Sequence, residues 1–265
     1  MFKLLLILLF IIALILFIDT CFIEPNRLIK VEYKIKNPDM KGLKAVFVSD
    51  FHIKKHGAKR LQKIVDMIKA QNPDIILCTG DFAAEHKLKT SYDIKKTAKA
   101  LGGIKTKYGF YTVLGNHDNL ADGDYIAEQL RNNGIVILEN SNTHINYNGK
   151  NIYIAGLADL QTREPDVEKA LEGCETPTIM LTHTPDTFPD IPERVTLTLA
   201  GHTHGGQIRM PFVGAILIPS DYGEKYAVGL KHKNNKTMLV TKGMGTSILP
   251  WRFNCTPEIV VINFV

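Results

Sequence analysis

The chain has 265 residues with 45% hydrophobic and 22% charged side chains, which fits one or two globular units and argues against disorder, collagen-like repeats and coiled coil. Its net charge of +5 is too mild to mark a nucleic-acid binder by itself. Cys21, Cys78, Cys174 and Cys255 are widely spaced and form no C-x-x-C pair, so neither a zinc ribbon nor a dense disulfide framework is expected, and a reducing compartment is favoured.

Residues 1–23 form the first element. Every residue from Leu4 to Ile18 is apolar, and with Phe2 before and Cys21 to Ile23 after, the stretch approaches the ~20 residues that span a bilayer. No small-x-small cleavage site follows, so an uncleaved anchor is expected rather than a signal peptide. Arg27, Lys30, Lys34 and Lys36 lie just beyond it and, by the positive-inside rule, pull the globular part to the cytoplasmic side. Residues 24–42 read as a linker that includes a strand around Leu28 to Ile35. Fully extended at ~3.3 Å per residue, that linker would reach about 60 Å.

The domain proper is expected over 43–265. Leu43 to Val48 is a short apolar strand. Leu61, Ile64, Val65 and Ile68 then recur at one-face helical spacing within Lys59 to Gln71. A strand over Asp74 to Thr79, a helix over Tyr92 to Leu101, a strand over Phe110 to Leu114 and a helix over Asp122 to Arg131 complete a β-α-β-α-β-α series. Further strands are expected at Ile135 to Leu138, Ile152 to Ala155, Thr178 to Leu181 and Val195 to Leu199. A late hairpin, Tyr226 to Leu230 and Thr237 to Thr241, turns through the polar run Lys231 to Lys236. The class is α/β, with parallel strands early and antiparallel hairpins late.

Five strand-like runs end in residues that bind metal or move protons, which is where open α/β sheets place their sites. These are Asp50-Phe51-His52, Gly80-Asp81, Gly115-Asn116-His117-Asp118, His183, and Gly201-His202-Thr203-His204. A single strand-end histidine or Gly-Asp is ordinary; their conjunction is not. Asp50 and His52 are two apart, as are His202 and His204, so on an extended strand each pair would share a face and chelate one ion. Imidazole nitrogens mixed with carboxylate and amide oxygens suit zinc, iron or manganese.

In order and spacing this series resembles the calcineurin-like metallophosphoesterase superfamily. The resemblance implies two packed mixed β-sheets flanked by helices, an α/β/β/α sandwich, and two divalent metal ions (manganese, zinc or iron). It places Asp50, His52, Asp81 and His204 on the first ion and Asp81, Asn116, His183 and His202 on the second, with Asp81 bridging. His117, beside Asn116 but not a ligand, would then stabilise the transition state or protonate the leaving group, with Asp118 orienting its imidazole. Many members carry an acidic residue three positions after the bridging aspartate; here that position is Ala84, which is no ligand.

The Gly201 to Pro211 block and the tail Arg252 to Glu258 are similar to a bacterial branch of membrane-associated phosphodiesterases, some of which cleave the pyrophosphate of UDP-2,3-diacylglucosamine. A phosphate-containing small-molecule or lipid substrate is therefore expected. Leu120, Phe212, Val213, Ile216, Leu217, Leu249 and Trp251 are candidates for an acyl-binding surface, and Lys54, Lys55, Lys59 and Arg60 for contacts with anionic headgroups. A nuclease of the same superfamily is the nearest enzymatic rival. The apolar first segment and the lack of a dense basic and aromatic stretch weigh against it, and no nucleic-acid partner is expected. A membrane-tethered binding protein on a disused enzyme fold is the rival of another class, opposed by the complete ligand set.

Overall fold

The computed structural model describes residues 1–265. Helix α1 (Phe2–Ile18) is exposed throughout and continues in irregular helical turns to Asn26. This is the one helical stretch long and apolar enough to cross a membrane.

Strands β1 (Ile29–Ile35), β2 (Lys44–Val48), β3 (Ile75–Cys78), β4 (Phe110–Thr112) and β5 (Ile135–Ile137) alternate with helices α2 (Ala58–Ala70), α3 (Ile94–Gly102) and α4 (Asn116–Arg131). Then come β6 (Ser141–Tyr147), β7 (Lys150–Gly156), α5 (Val167–Ala170), β8 (Thr178–Thr182) and β9 (Leu197–Ala200). A small hairpin, β10 (Arg209–Met210) with β11 (Gly214–Ala215), precedes β12 (Gly229–Lys233), β13 (Lys236–Val240) and β14 (Glu258–Phe264). One six-stranded sheet has the order β1-β14-β2-β3-β4-β5 and the other β12-β13-β9-β8-β7-β6.

The two-residue period of a strand sorts the apolar side chains into layers. From β2, Ala45 and Phe47 enter the core between the sheets, together with Leu77, Ile154, Leu181, Leu199 and Val260. Val46 and Val48 point the other way, onto Ile64 and Ile68 of α2, Leu101 of α3 and Ile126 of α4. On the far side, Ala155 and Met180 pack against Ala170 and Leu171. The α/β/β/α sandwich expected from the sequence is the observed fold.

Residues 24–42 are not a free linker. Ile29, Val31, Tyr33 and Ile35 alternate with the exposed Lys30, Glu32 and Lys34, and that amphipathic pattern seats β1 parallel to β14, from Ile29 opposite Glu258 to Ile35 opposite Phe264. The buried Glu24 carboxylate accepts the N–H groups of Asn254 (2.8 Å) and Cys255 (2.5 Å) and the Thr256 hydroxyl (3.2 Å). The Arg252 N–H donates to the Thr20 carbonyl at 3.0 Å. The end of the apolar helix is thus clasped by the loop before β14. The helix expected from Asp122 begins earlier, at Asn116, and is kinked at Asp122, whose backbone is not helical. The turn expected over Lys231 to Lys236 is tighter, closing at the left-handed pair Asn234-Asn235 with both flanks in strand.

Candidate metal centre

The C-terminal ends of β2, β3, β4, β8 and β9 open onto one mouth between the sheets. Every candidate ligand lies there and all seven are buried: Asp50, His52, Asp81, Asn116, His183, His202 and His204. The expectation that Asp50/His52 and His202/His204 share faces of extended strands is corrected. The strands stop at Val48 and Ala200, and Asp50, His52, Asp81, His202 and His204 all have left-handed backbone, with φ of 53°, 41°, 59°, 67° and 51°. Asp and His tolerate this region better than branched residues, and such strain concentrates at functional sites. The coiled loops hold one another: the Asp50 N–H donates to the Gly80 carbonyl (2.9 Å) and the His52 N–H to the Asp81 carbonyl (3.1 Å).

Two donor groups meet at Asp81. On one side, His52 Nε2 lies 3.3 Å from Asp81 Oδ2 and 3.1 Å from His204 Nε2, which is 3.6 Å from Asp50 Oδ1. On the other, His183 Nε2 lies 3.3 Å from the same Asp81 Oδ2, 3.0 Å from Asn116 Oδ1 and 3.2 Å from His202 Nδ1. The approach is close enough that only glycine fits at two positions. A Cβ on Gly115 would sit 2.2 Å from Asp81 Oδ1, and one on Gly201 would sit 2.5 Å from Asp50 Oδ2.

The chemistry of these donors fits a divalent cation. His52 Nδ1 is 2.9 Å from the Ala83 carbonyl and His183 Nδ1 is 2.6 Å from the Thr79 carbonyl. A carbonyl only accepts, so each Nδ1 carries a hydrogen and each Nε2, aimed at the Asp81 carboxylate, is the nitrogen left to take either a proton or a metal ion. A proton on that nitrogen satisfies the carboxylate, and a divalent ion that displaced it would find imidazole and carboxylate donors already turned toward one point.

Charge is distributed unevenly. Burial works against ionisation throughout, yet His183 and His52 hold Asp81 well below the carboxylate range, and the Asp81 and Asp50 carboxylates raise His183 to about 10. Burial brings His202 down to about 3 and His204 well below the imidazole range, helped by their cationic neighbours. The cluster therefore favours neutral imidazoles around a charged carboxylate wherever a neighbouring carboxylate does not hold the proton.

His117 and Asp118 are brought to the same mouth but not to each other. Asp118 is fully buried, and its carboxylate accepts the N–H groups of Asp81 (2.8 Å), Ala83 (2.9 Å) and Gly115 (3.1 Å). It pins the two ligand loops together rather than orienting His117. Burial and the Asp81 charge push Asp118 up to about 7, against the pull of those N–H donors. His117 instead meets the Ser247 hydroxyl through Nε2 (3.3 Å), packs its ring against His52 and His86, and leaves a buried Nδ1 without a partner. Burial drops it to about 4, so its ring is neutral at neutral pH.

Several supporting residues were not singled out from sequence. The Gln161 amide meets His202 Nε2 at 2.9 Å and fixes that ring with Nδ1 toward His183. Arg252, fully buried, donates to the carbonyls of Lys242 (2.7 Å), Gly245 (2.6 Å) and Cys255 (2.9 Å) and lies 3.3 Å from His204 Nδ1. Beside the mouth runs a groove of about 740 Å³ that joins His52 to Cys21 and Pro25 at the end of the apolar helix. Lys54, Lys55, Lys59 and Arg60 line it, joined by His56 and Lys89, with Glu85 the one acid.

Fold and site together define a metal-dependent phosphoester hydrolase. The calcineurin-like phosphoesterase family profile matches residues 43–206, and the chain belongs to that family. It is 31% identical over 254 residues to the metallophosphoesterase YkuE of Bacillus subtilis, covering 91% of this chain and 87% of that one. It is 30% identical over 232 residues to the phosphodiesterase YaeI of Escherichia coli, covering 84% and 82%. It is also 32% identical over 259 residues to a zebrafish (Danio rerio) transmembrane protein with metallophosphoesterase domain, covering 90% of this chain but 57% of that one.

Proposed function

We propose that this protein is a membrane-anchored phosphoesterase with a dinuclear metal centre. It would hydrolyse a phosphodiester or pyrophosphate bond in a lipid-linked or nucleotide-linked substrate, of which UDP-2,3-diacylglucosamine is the specific candidate. The observation that carries the reading is Asp81, whose Oδ2 stands 3.3 Å from both His52 and His183 at the junction of two donor groups. Asp50, His52, Asp81 and His204 would hold one ion, and Asp81, Asn116, His183 and His202 the other. When bound, two divalent ions supply Lewis acidity toward the phosphoryl oxygens and a water acidic enough to react at neutral pH.

The chain's own residues do the rest. The Gly80–Asp81 and Gly115–Asn116 loops, pinned by Asp118, fix the ligand geometry. His117 stands at the rim of the ligand set, where its imidazole N–H would stabilise the charge of the transition state or, once it has taken up a proton beside the anionic substrate, give one to the leaving oxygen. The basic groove beside His52 receives further anionic groups of the substrate. The phosphodiesterase name of the Escherichia coli relative supports the bond type, and the transmembrane name of the zebrafish relative supports the anchor.

The test uses the full chain in detergent micelles. Metal content is measured beside hydrolysis of a bis-aryl phosphodiester and its monoester, with added manganese and after chelation. Chelator-sensitive diester cleavage with two ions per chain is the expected result. Metal-loaded protein that cleaves neither these esters nor a UDP-linked lipid would overturn the proposal.

A further inference from the structure

The domain carries two apolar tips that its own fold does not use. One is the β10–β11 turn, where Phe212 is fully exposed and Val213 is 79% exposed; the other is the loop Ile248-Leu249-Pro250-Trp251, where Ile248 is 90% exposed. Scattered surface apolar residues need no explanation. These differ in their backbone. Phe212 and Ile248 both have left-handed conformation, with φ of 67° and 59°. That region is unfavourable for any side chain but glycine and worst for a β-branched one. Glycine or asparagine would serve the turn better, so hydration and backbone strain both disfavour the residues present. Their benefit must come from something outside the domain.

Position identifies what that is. The Arg252 N–H bonds to the Thr20 carbonyl at the end of the apolar helix, one residue after Trp251. Pro250 shares a groove wall with Cys21 and Pro25, while Pro211, next to Phe212, shares a second cavity with Asp19 and Glu24. Ile208, ahead of β10, bridges to Phe253 and so ties the two tips together. Both therefore flank the point where the apolar helix leaves the domain. The second tip also borders the site, because Ser247, just ahead of Ile248, contacts His117 and the Gly245 N–H donates to the Asp50 carbonyl at 2.6 Å.

We propose that Phe212, Val213, Ile248, Leu249 and Trp251 insert into the interfacial layer of the bilayer crossed by α1, seating the mouth of the metal centre against the membrane surface. This rests on the anchor reading above, and the experiment separates the two. A tip that enters the headgroup and upper acyl region gains apolar surroundings for its side chains without needing a protein partner. Tryptophan is at home in that layer.

Trp251 is the only tryptophan in the chain, so the unmodified protein carries its own probe. The full chain is reconstituted into phosphatidylcholine–phosphatidylglycerol vesicles, floated on a density gradient, and its emission read with acyl chains brominated either near the headgroup or near the bilayer centre. Strong quenching by the shallow bromines, weaker quenching by the deep ones, and shielding from aqueous acrylamide are expected. Ile248→Asn, which suits the left-handed backbone, should keep or raise the melting temperature while reducing the shallow quenching. In the pair Phe212→Ser with Ile248→Asn, KM for a vesicle-embedded diester should rise while kcat/KM for a water-soluble diester holds. Protein that floats but shows Trp251 open to acrylamide and untouched by either bromolipid overturns the docking surface and leaves the anchor standing. Protein that does not float overturns both.

Discussion

The ligand loops and the apolar tips carry the same backbone strain in opposite surroundings. At Asp50, His52, Asp81, His202 and His204, left-handed residues are polar and buried, with lone pairs converging on one another. At Phe212 and Ile248, left-handed residues are apolar and open to solvent. Neither set makes sense for folding alone. Buried imidazole nitrogens aimed at one carboxylate call for a proton or a metal ion between them, and strained apolar side chains in water call for an apolar medium. Unlike the asparagines that close the Asn234-Asn235 turn, both sets put left-handed backbone on residue types a plain turn would not select, and burial and polarity separate the metal centre from the proposed membrane contact.

Asp81→Asn should produce the largest effect. It removes the carboxylate common to both donor groups, so elemental analysis should find metal lost from the whole site and turnover abolished; full metal content would break the distinction between the two regions. His117→Ala should lower turnover by roughly 10² to 10⁴ at unchanged metal content, as expected for loss of a group that stabilises the transition state or protonates the leaving group. Steady-state rates beside metal analysis decide it, and a variant as active as the parent would remove His117 from the chemistry. Glu24→Gln should destabilise the domain by about 1.5–3 kcal/mol, the usual worth of hydrogen bonds to a charged group, without touching the metal. Denaturant titration reads that. Asp118→Asn turns one amide N–H₂ toward backbone donors and should cost about 1–3 kcal/mol of stability. A collapse of turnover as deep as that of His117→Ala at full stability would return Asp118 to a catalytic part. Ile248→Asn should be the smallest in the fold itself, neutral or stabilising by up to about 1 kcal/mol. A calorimetric melting point below the parent's would show that the isoleucine serves packing after all.

What the sequence made legible follows from where the chemistry is written. Strand-end Asp50, Asp81, Asn116, His183, His202 and His204, which the structure gathers at one mouth, could be picked out because each residue type carries its own chemistry, whereas the apolar run Leu43 to Val48 announced a strand but not its two faces. The turned backbone that joins each ligand pair was not legible, since a two-residue spacing fits a strand and a coil equally. Asp118 was misassigned because adjacency in sequence to His117 was taken for adjacency in space, whereas a helix start throws neighbouring side chains in different directions. Glu24 and Arg252 were out of reach for another reason. Their partners lie in the opposite end of the chain and beneath the site, and nothing local distinguishes a glutamate that clasps a distant loop from one that is solvated.

The pairing of β1 with β14 has a consequence for biosynthesis. β14 lies between β1 and β2, so the first sheet cannot close until residues 258–264 have been made, although its other strands are complete by residue 137. Contacts of such long sequence separation form late. The apolar helix and β1 leave the ribosome before the rest of the sheet, and β1 waits unpaired until β14 is made. The clasp on Glu24 closes in the same final step, so the helix has the length of translation to find its place before the domain locks onto it.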